Sequence, residues 1–117
     1  MSARLTLHAG MLAGLIGVLA PAVWAASSAP APERQQTLSH LLRQECGSCH
    51  GLHLNGGLGP ALTASALAGR RLEQIASTIL NGRPGTAMPG WRPFLDESEA
   101  QWLAEHLLNP NTPAFLP

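Results

Sequence analysis

Cys46-Gly47-Ser48-Cys49-His50 gathers the chain's only two cysteines beside a histidine. Thiols at this spacing lie about one helical turn apart, near enough to act on one object, and imidazole is a common metal ligand. A structural disulfide would leave His50 without a role. A thioredoxin-like redox pair needs a βαβ setting, and no stretch of this chain alternates like a strand for long. A zinc site needs four ligands in a recognisable pairing. His53 or His106 could join the three residues here, but no second ligand pair appears. C-x-x-C-H is also the attachment pattern of a c-type haem. The two thiols add to the two vinyl groups of one porphyrin, and the adjacent histidine is placed under the iron. One covalent haem c on Cys46 and Cys49, with His50 as an iron ligand, is the expectation.

A six-coordinate iron needs a second axial ligand. The candidates are Met88, His40, His53 and His106. Met88 is the methionine left once Met1 and Met11 are set aside with the N-terminal segment. It lies in the Pro/Gly-rich run Thr86-Ala87-Met88-Pro89-Gly90, and Pro89 restricts the backbone before it. Met88 is therefore favoured over a mere gap-filling role. His53 is too close to His50 in sequence to reach the opposite face easily, and His40 and His106 fall on helices. A metal-bound histidine usually donates its other ring N–H to a fixed acceptor, and the Pro60 carbonyl, in the rigid Gly59-Pro60 turn, is the candidate. Trp91 could bond a haem propionate or serve as ordinary core. Arg83 could pair with a propionate or stay solvated. With His/Met ligation both axial positions are filled, methionine raises the potential, and the group exchanges electrons without binding substrate.

These residues need a scaffold. Pro32 can open a helix with Glu33 in its first turn, and Leu38, Leu41 and Leu42 recur at helical spacing, so a first helix is expected over 32–44. A loop with turn signals at Asn55-Gly56-Gly57 and Gly59-Pro60 follows. A second helix is expected over 70–80, with Leu72, Ile75, Ala76, Ile79 and Leu80 on one face and Asn81-Gly82 as its stop. Residues 83–94 read as a loop. Asp96 then caps a last helix, with Glu99 as its capping-box partner, an apolar side of Ala100, Leu103, Ala104, Leu107 and Leu108, and a stop at Pro110. The class is all-α: three to five short helices around one covalent haem.

The ends differ in character. Arg4 is the lone charge in residues 1–25, Leu5 to Ala20 is mostly apolar, and Val23-Trp24-Ala25 offers a small-x-small exit. This reads as a signal peptide cleaved after Ala25, since the apolar run falls short of a span and Pro21 ends it. Residues 26–31 form a Ser/Ala/Pro-rich flexible leader and 32–117 the domain. Beyond Ala25 the chain keeps six arginines and seven acids and has no lysine, so the basic stripe of a nucleic-acid binder is missing. Export places the protein in the periplasm with no stable membrane anchor, and a monomer is expected. A domain this small buries a modest core, which a large apolar cofactor would enlarge.

Cys46-x-x-Cys49-His50, Gly59-Pro60, the methionine loop and the flanking helices together resemble the class I cytochromes c, over about residues 32–109. His50-Gly51-Leu52, residues 56–62 and residues 81–91 further resemble the small monohaem cytochromes of denitrification gene clusters, the NirC type. The resemblance implies a first and a last helix that cross beside the haem. It also implies a periplasmic electron carrier, not an enzyme, that serves a cytochrome cd-type nitrite reductase. Family members are implicated too in maturing that enzyme's special haem, which gives an alternative role. A gas-binding sensor is a third reading, which Met88 ligation disfavours. The missing lysines depart from the lysine-ringed docking surface of mitochondrial-type cytochromes c. Leu52, Leu54, Leu58, Ala87 and Pro89 are expected to form an apolar contact patch, with docking that depends weakly on salt.

Overall fold

Pro32 opens the first helix of the computed structural model, which describes residues 29–109. Proline costs no hydrogen bond at this position. The turn is closed by the Gln35 N–H on the Ala31 carbonyl at 2.9 Å and by the Gln35 side-chain amide on the Pro30 carbonyl at 2.8 Å. The helix does not stop near residue 44 as its sequence suggests. Helix α1 (Pro32–Leu41) passes into a π-helical turn (Leu42–Cys46) and then into α2 (Gly47–His50), so helical backbone is continuous to the motif histidine. Leu42, Cys46 and Gly47 all hold right-handed helical angles. Gly47 and Ser48 are poor helix formers, which is why periodicity alone ends this helix too early. A π turn admits one extra residue. Along this run Leu38 and Leu42 are buried, Cys46 is half-buried, Cys49 is exposed and His50 is buried.

Helix α3 (Leu72–Asn81) starts after Arg71, whose N–H donates to the Gln74 side chain at 3.2 Å, and it ends at Gly82. Its start lies two residues later than the pattern indicates, within ordinary helix-end uncertainty. Its buried residues are Ile75, Ala76, Ile79 and Leu80, the apolar face expected of it. Helix α4 (Glu97–Leu108) opens on Asp96 with a complete capping box. Asp96 Oδ1 accepts from the Glu99 N–H at 2.9 Å, and Glu99 Oε2 accepts from the Asp96 N–H at 2.9 Å. Two otherwise orphaned helix donors are satisfied this way.

Helix α4 buries more than its aliphatic side. Trp102 and His106 are also inside, with ring centroids 3.7 Å apart and His106 Nδ1 2.7 Å from the Trp102 carbonyl. Helices α3 and α4 pack together, and Leu38, Leu42 and Leu95 complete a single core with them. Leu38, Leu42 and Leu103 are almost wholly sealed, and each such burial contributes about 1.5–3 kcal/mol. The first and last helices meet. The Arg34 guanidinium grips the Glu99 carboxylate through Nε and Nη2, the latter at 3.1 Å, and Nη2 also reaches the Phe94 carbonyl at 3.0 Å. Glu99 thus serves both the α4 cap and the contact between α1 and α4, a use that the capping box by itself does not indicate.

The described residues contain no strand, and none of their helices is long and apolar enough to cross a membrane. The expected signal peptide, residues 26–28 of the leader and the Pro110 stop lie outside the described residues.

Candidate haem site

The loop after α2 folds back onto the motif. The last carbonyls of a helix have no intrahelical partner. Here the Gly59 N–H takes the Cys49 carbonyl and the Gly56 N–H takes the His50 carbonyl, both at 2.8 Å. The loop is held across its own base by the Leu62 N–H on the Leu54 carbonyl at 2.8 Å. Leu54 sits at φ 56°, an angle that non-glycine residues seldom adopt. Its side chain packs against the core edge, which helps hold it there.

This folding-back presses the Gly59 backbone against the His50 ring. A β-carbon at Gly59 would stand 2.8 Å from both His50 Nδ1 and Cε1. Only a residue without one permits the approach. The next residue then completes the seat: His50 Nδ1 lies 2.7 Å from the Pro60 carbonyl. A carbonyl can only accept, so Nδ1 carries the proton and donates. The ring is thereby fixed in the tautomer that leaves the Nε2 lone pair available to a metal. His50 is itself buried.

Cys46 and Cys49 are not joined in a disulfide. Burial, with help from the neighbouring Glu45 carboxylate, pushes the Cys46 thiol up to about 11. That is opposite to the depressed value of a reactive redox thiolate. Among the described residues no group of three or more His, Cys, Asp or Glu side chains is placed to hold a metal ion, so the zinc reading gains no support. Cys46, Leu54, Leu62, Leu67, Leu72 and Trp91 are half-buried apolar groups at the margin of the core, and Leu52 and Leu58 are exposed beyond them. Two cysteines outside any disulfide, an oriented imidazole and an apolar margin fit a covalently held porphyrin. Cys46, Cys49 and His50 would hold it.

Met88 is half-buried in the loop between α3 and α4. Its carbonyl accepts from the Arg83 N–H at 3.2 Å, and its N–H donates to Thr86 Oγ1 at 3.3 Å. Arg83 therefore touches Met88 through its backbone, while its side chain is exposed. Trp91 is half-buried against the core, tilted 58° to Phe94 at 6.0 Å. His40 and His53 are exposed, whereas His106 is engaged within α4. Of the expected apolar patch, Leu52 and Leu58 are exposed and Leu54 is half-buried against the core. Sequence reasoning took Gly59 only as a turn former and did not see the π turn. The adjacency of Gly59 to Pro60 was the available signal for the first, and nothing in the pattern marks the second.

Comparison with known proteins agrees with this chemistry. Residues 33–107 match the family described as "Cytochrome C oxidase, cbb3-type, subunit III". Cytochrome c55X of Paracoccus denitrificans (strain Pd 1222) is 51% identical over 110 residues, covering 94% of this chain and 98% of that protein. The solved structure of a c-type cytochrome NirC superposes with a TM-score of 0.69 at 51% identity, covering 70% of this chain and 96% of that one. The dihydro-heme d1 dehydrogenase of Pseudomonas aeruginosa is 40% identical over 67 residues, which are 57% of this chain and 14% of that enzyme. A C-x-x-C-H helix, an oriented histidine and a core of helices, found together with these relatives, have one explanation: the chain belongs to the class I c-type cytochromes, in the NirC-type group of the cytochromes c55X, and is an electron-transfer protein.

Proposed function

We propose that this chain is a periplasmic monohaem cytochrome that carries single electrons for a cytochrome cd-type nitrite reductase in denitrification. One haem c is attached at Cys46 and Cys49, and His50 and Met88 are its axial ligands. The observation that carries this reading is the seat of His50: Nδ1–H is held by the Pro60 carbonyl at 2.7 Å, which leaves Nε2 to bind iron. When bound, the haem supplies a one-electron iron couple. The residues around it set its surroundings. Pro60 fixes the imidazole tautomer, Gly59 lets the loop close against the ring, and the Met88 thioether favours the reduced state and fills the last coordination position. Trp91 and Arg83 stand near the methionine loop, where they would meet the propionates. Export by the N-terminal segment and a monomeric state complete the reading.

The spectrum of the oxidised protein tests it. The wild type should show the weak near-infrared sulfur-to-iron band, and Met88→Ala should lose it. Ready carbon monoxide binding to the reduced wild type at neutral pH would argue for an open iron and a sensor.

A second reading is favoured by the match to a part of the dihydro-heme d1 dehydrogenase. In it, the same haem takes or gives electrons while the reductase's special haem is matured. Deleting the gene separates the two. A nitrite reductase lacking its special haem supports maturation, and a complete but electron-starved enzyme supports the carrier role.

A further inference from the structure

The loop that carries Met88 is fastened to the end of α3 more tightly than a connecting loop requires. The carbonyls that α3 leaves unpaired near its end are taken by this loop: Ile79 O by the Trp91 N–H at 3.1 Å and Leu80 O by the Arg92 N–H at 3.3 Å. Arg92 Nε also donates to the Asn81 side chain at 2.9 Å. Inside these bonds two glycines meet backbone to backbone. Gly82 holds φ 68° and ψ −164°, a combination that belongs to glycine. A β-carbon there would lie 2.6 Å from the Met88 carbonyl oxygen and 2.6 Å from the Pro89 carbonyl carbon. Gly90 closes from the other side, where a β-carbon would lie 2.8 Å from the Leu80 carbonyl oxygen and 3.1 Å from the Asn81 carbonyl carbon. Thr86 adds a brace: its hydroxyl donates to the Arg83 carbonyl at 2.7 Å and accepts from the Met88 N–H at 3.3 Å.

We propose that Gly82 and Gly90 are positioning residues for Met88: their backbone-to-backbone contact locks the methionine loop onto α3 and so sets how firmly the thioether stays on the iron. This rests on Met88 being the axial ligand. The lock reduces the freedom of the loop in advance, so little entropy is lost when the sulfur binds. Helix α3 is itself anchored by Ile75, Ala76, Ile79 and Leu80 in the core. The loop is thus tied to a helix packed into the core.

The test is competition by free imidazole for the oxidised haem protein, followed alongside the near-infrared sulfur-to-iron band. Imidazole enters only when the methionine is off, so its apparent affinity reads the fraction of open sites. Gly90→Ala adds the methyl without a left-handed backbone angle. It should raise imidazole affinity about fivefold, the low end of what overpacking by one methyl costs, and weaken the band. Gly69→Ala is the control. Gly69 has φ 80° with nothing within 4 Å of an added β-carbon, and it lies outside the methionine loop. This variant should lose thermal stability while imidazole affinity stays within about twofold of the parent. Thr86→Ala removes the brace and adds no atom at the hydroxyl's place, 2.7 Å from the Arg83 carbonyl; it should raise the affinity several-fold, and it decides the matter if Gly90→Ala does not fold. Parental imidazole affinity and an intact band in Gly90→Ala and Thr86→Ala overturn the proposal, as does an equal effect from Gly69→Ala. A parent protein without the band overturns Met88 ligation itself, an outcome distinct from failure of the lock.

Discussion

Replacing Gly59 by alanine places a methyl carbon 2.8 Å from two atoms of the His50 ring and 3.3 Å from Nε2. An unstrained carbon contact is about 3.5 Å or more, so the ring or the loop must yield by roughly 0.7 Å. Neither can yield freely. The ring is buried and bonded to the Pro60 carbonyl at 2.7 Å, and the loop is tied to the Cys49 and His50 carbonyls. Gly59 does not have a positive φ, so the whole effect is steric. Overpacking of this kind costs about 1–3 kcal/mol. In a domain of this size that lowers the melting temperature by about 4–8 °C for each kcal/mol. The cheapest adjustment moves the ring away from Pro60 and weakens the Nδ1–H bond. With His50 as the proposed iron ligand, its imidazole would then be less basic, the ferric state would lose support, and the reduction potential should rise. Thermal melts and redox titrations of the holo Gly59→Ala protein check both parts. A melting temperature within about 1 °C of the wild type, together with an unchanged potential, refutes the reasoning and reduces Gly59 to a turn former.

Four further outcomes follow from the same geometry. Glu99→Gln should cost about 1–2 kcal/mol in guanidinium unfolding, because it weakens the Arg34 pair while leaving the Asp96 cap bond. The hydrogen bond from Arg34 holds the Glu99 carboxyl below its ordinary 4.5, and the Glu99 N–H holds Asp96 below its ordinary 3.8. Both folded values lie under the unfolded ones. Their contribution is therefore complete above about pH 4.5 and is lost as the pH falls through the folded values; a smaller acid-induced drop in unfolding midpoint for Glu99→Gln than for the wild type is the expected signature. Ser39 Oγ is buried without a hydrogen-bond partner, so Ser39→Ala should raise stability by up to about 1 kcal/mol; a destabilised variant would reveal a partner for that hydroxyl. Leu58 is 93% exposed, and Leu58→Ser should slow electron exchange with a protein redox partner severalfold by removing apolar contact area. That exchange rate should vary little with salt in the wild type, and a steep fall would point to charged docking instead.

Much of this protein was legible along the chain because the relevant signals are local. Cys46, Cys49 and His50 sit within one helical turn of backbone. Asp96 and Glu99 form a box four residues long, and the apolar faces of α3 and α4 repeat at 3.6 residues. The helical class, the haem motif and the Asn81-Gly82 stop need nothing beyond such local rules. Other features required the chain to meet itself. The first helix runs on through a π turn to His50 although Gly47 and Ser48 disfavour helix, and no periodicity marks that extra residue. Trp102 and His106 lie outside the aliphatic stripe of α4 and are nonetheless core, because α4 is covered on more than one side. Arg34 and Glu99 are 65 residues apart, and Gly82 and Gly90 face each other only once the methionine loop has closed on α3. The sequence by itself determined which atoms can bind a haem. The tertiary structure decided how those atoms are held, because orientation depends on how a loop closes back on the element before it, as the Pro60 carbonyl does on His50 and the Met88 backbone on Gly82, and such closure follows no local periodicity.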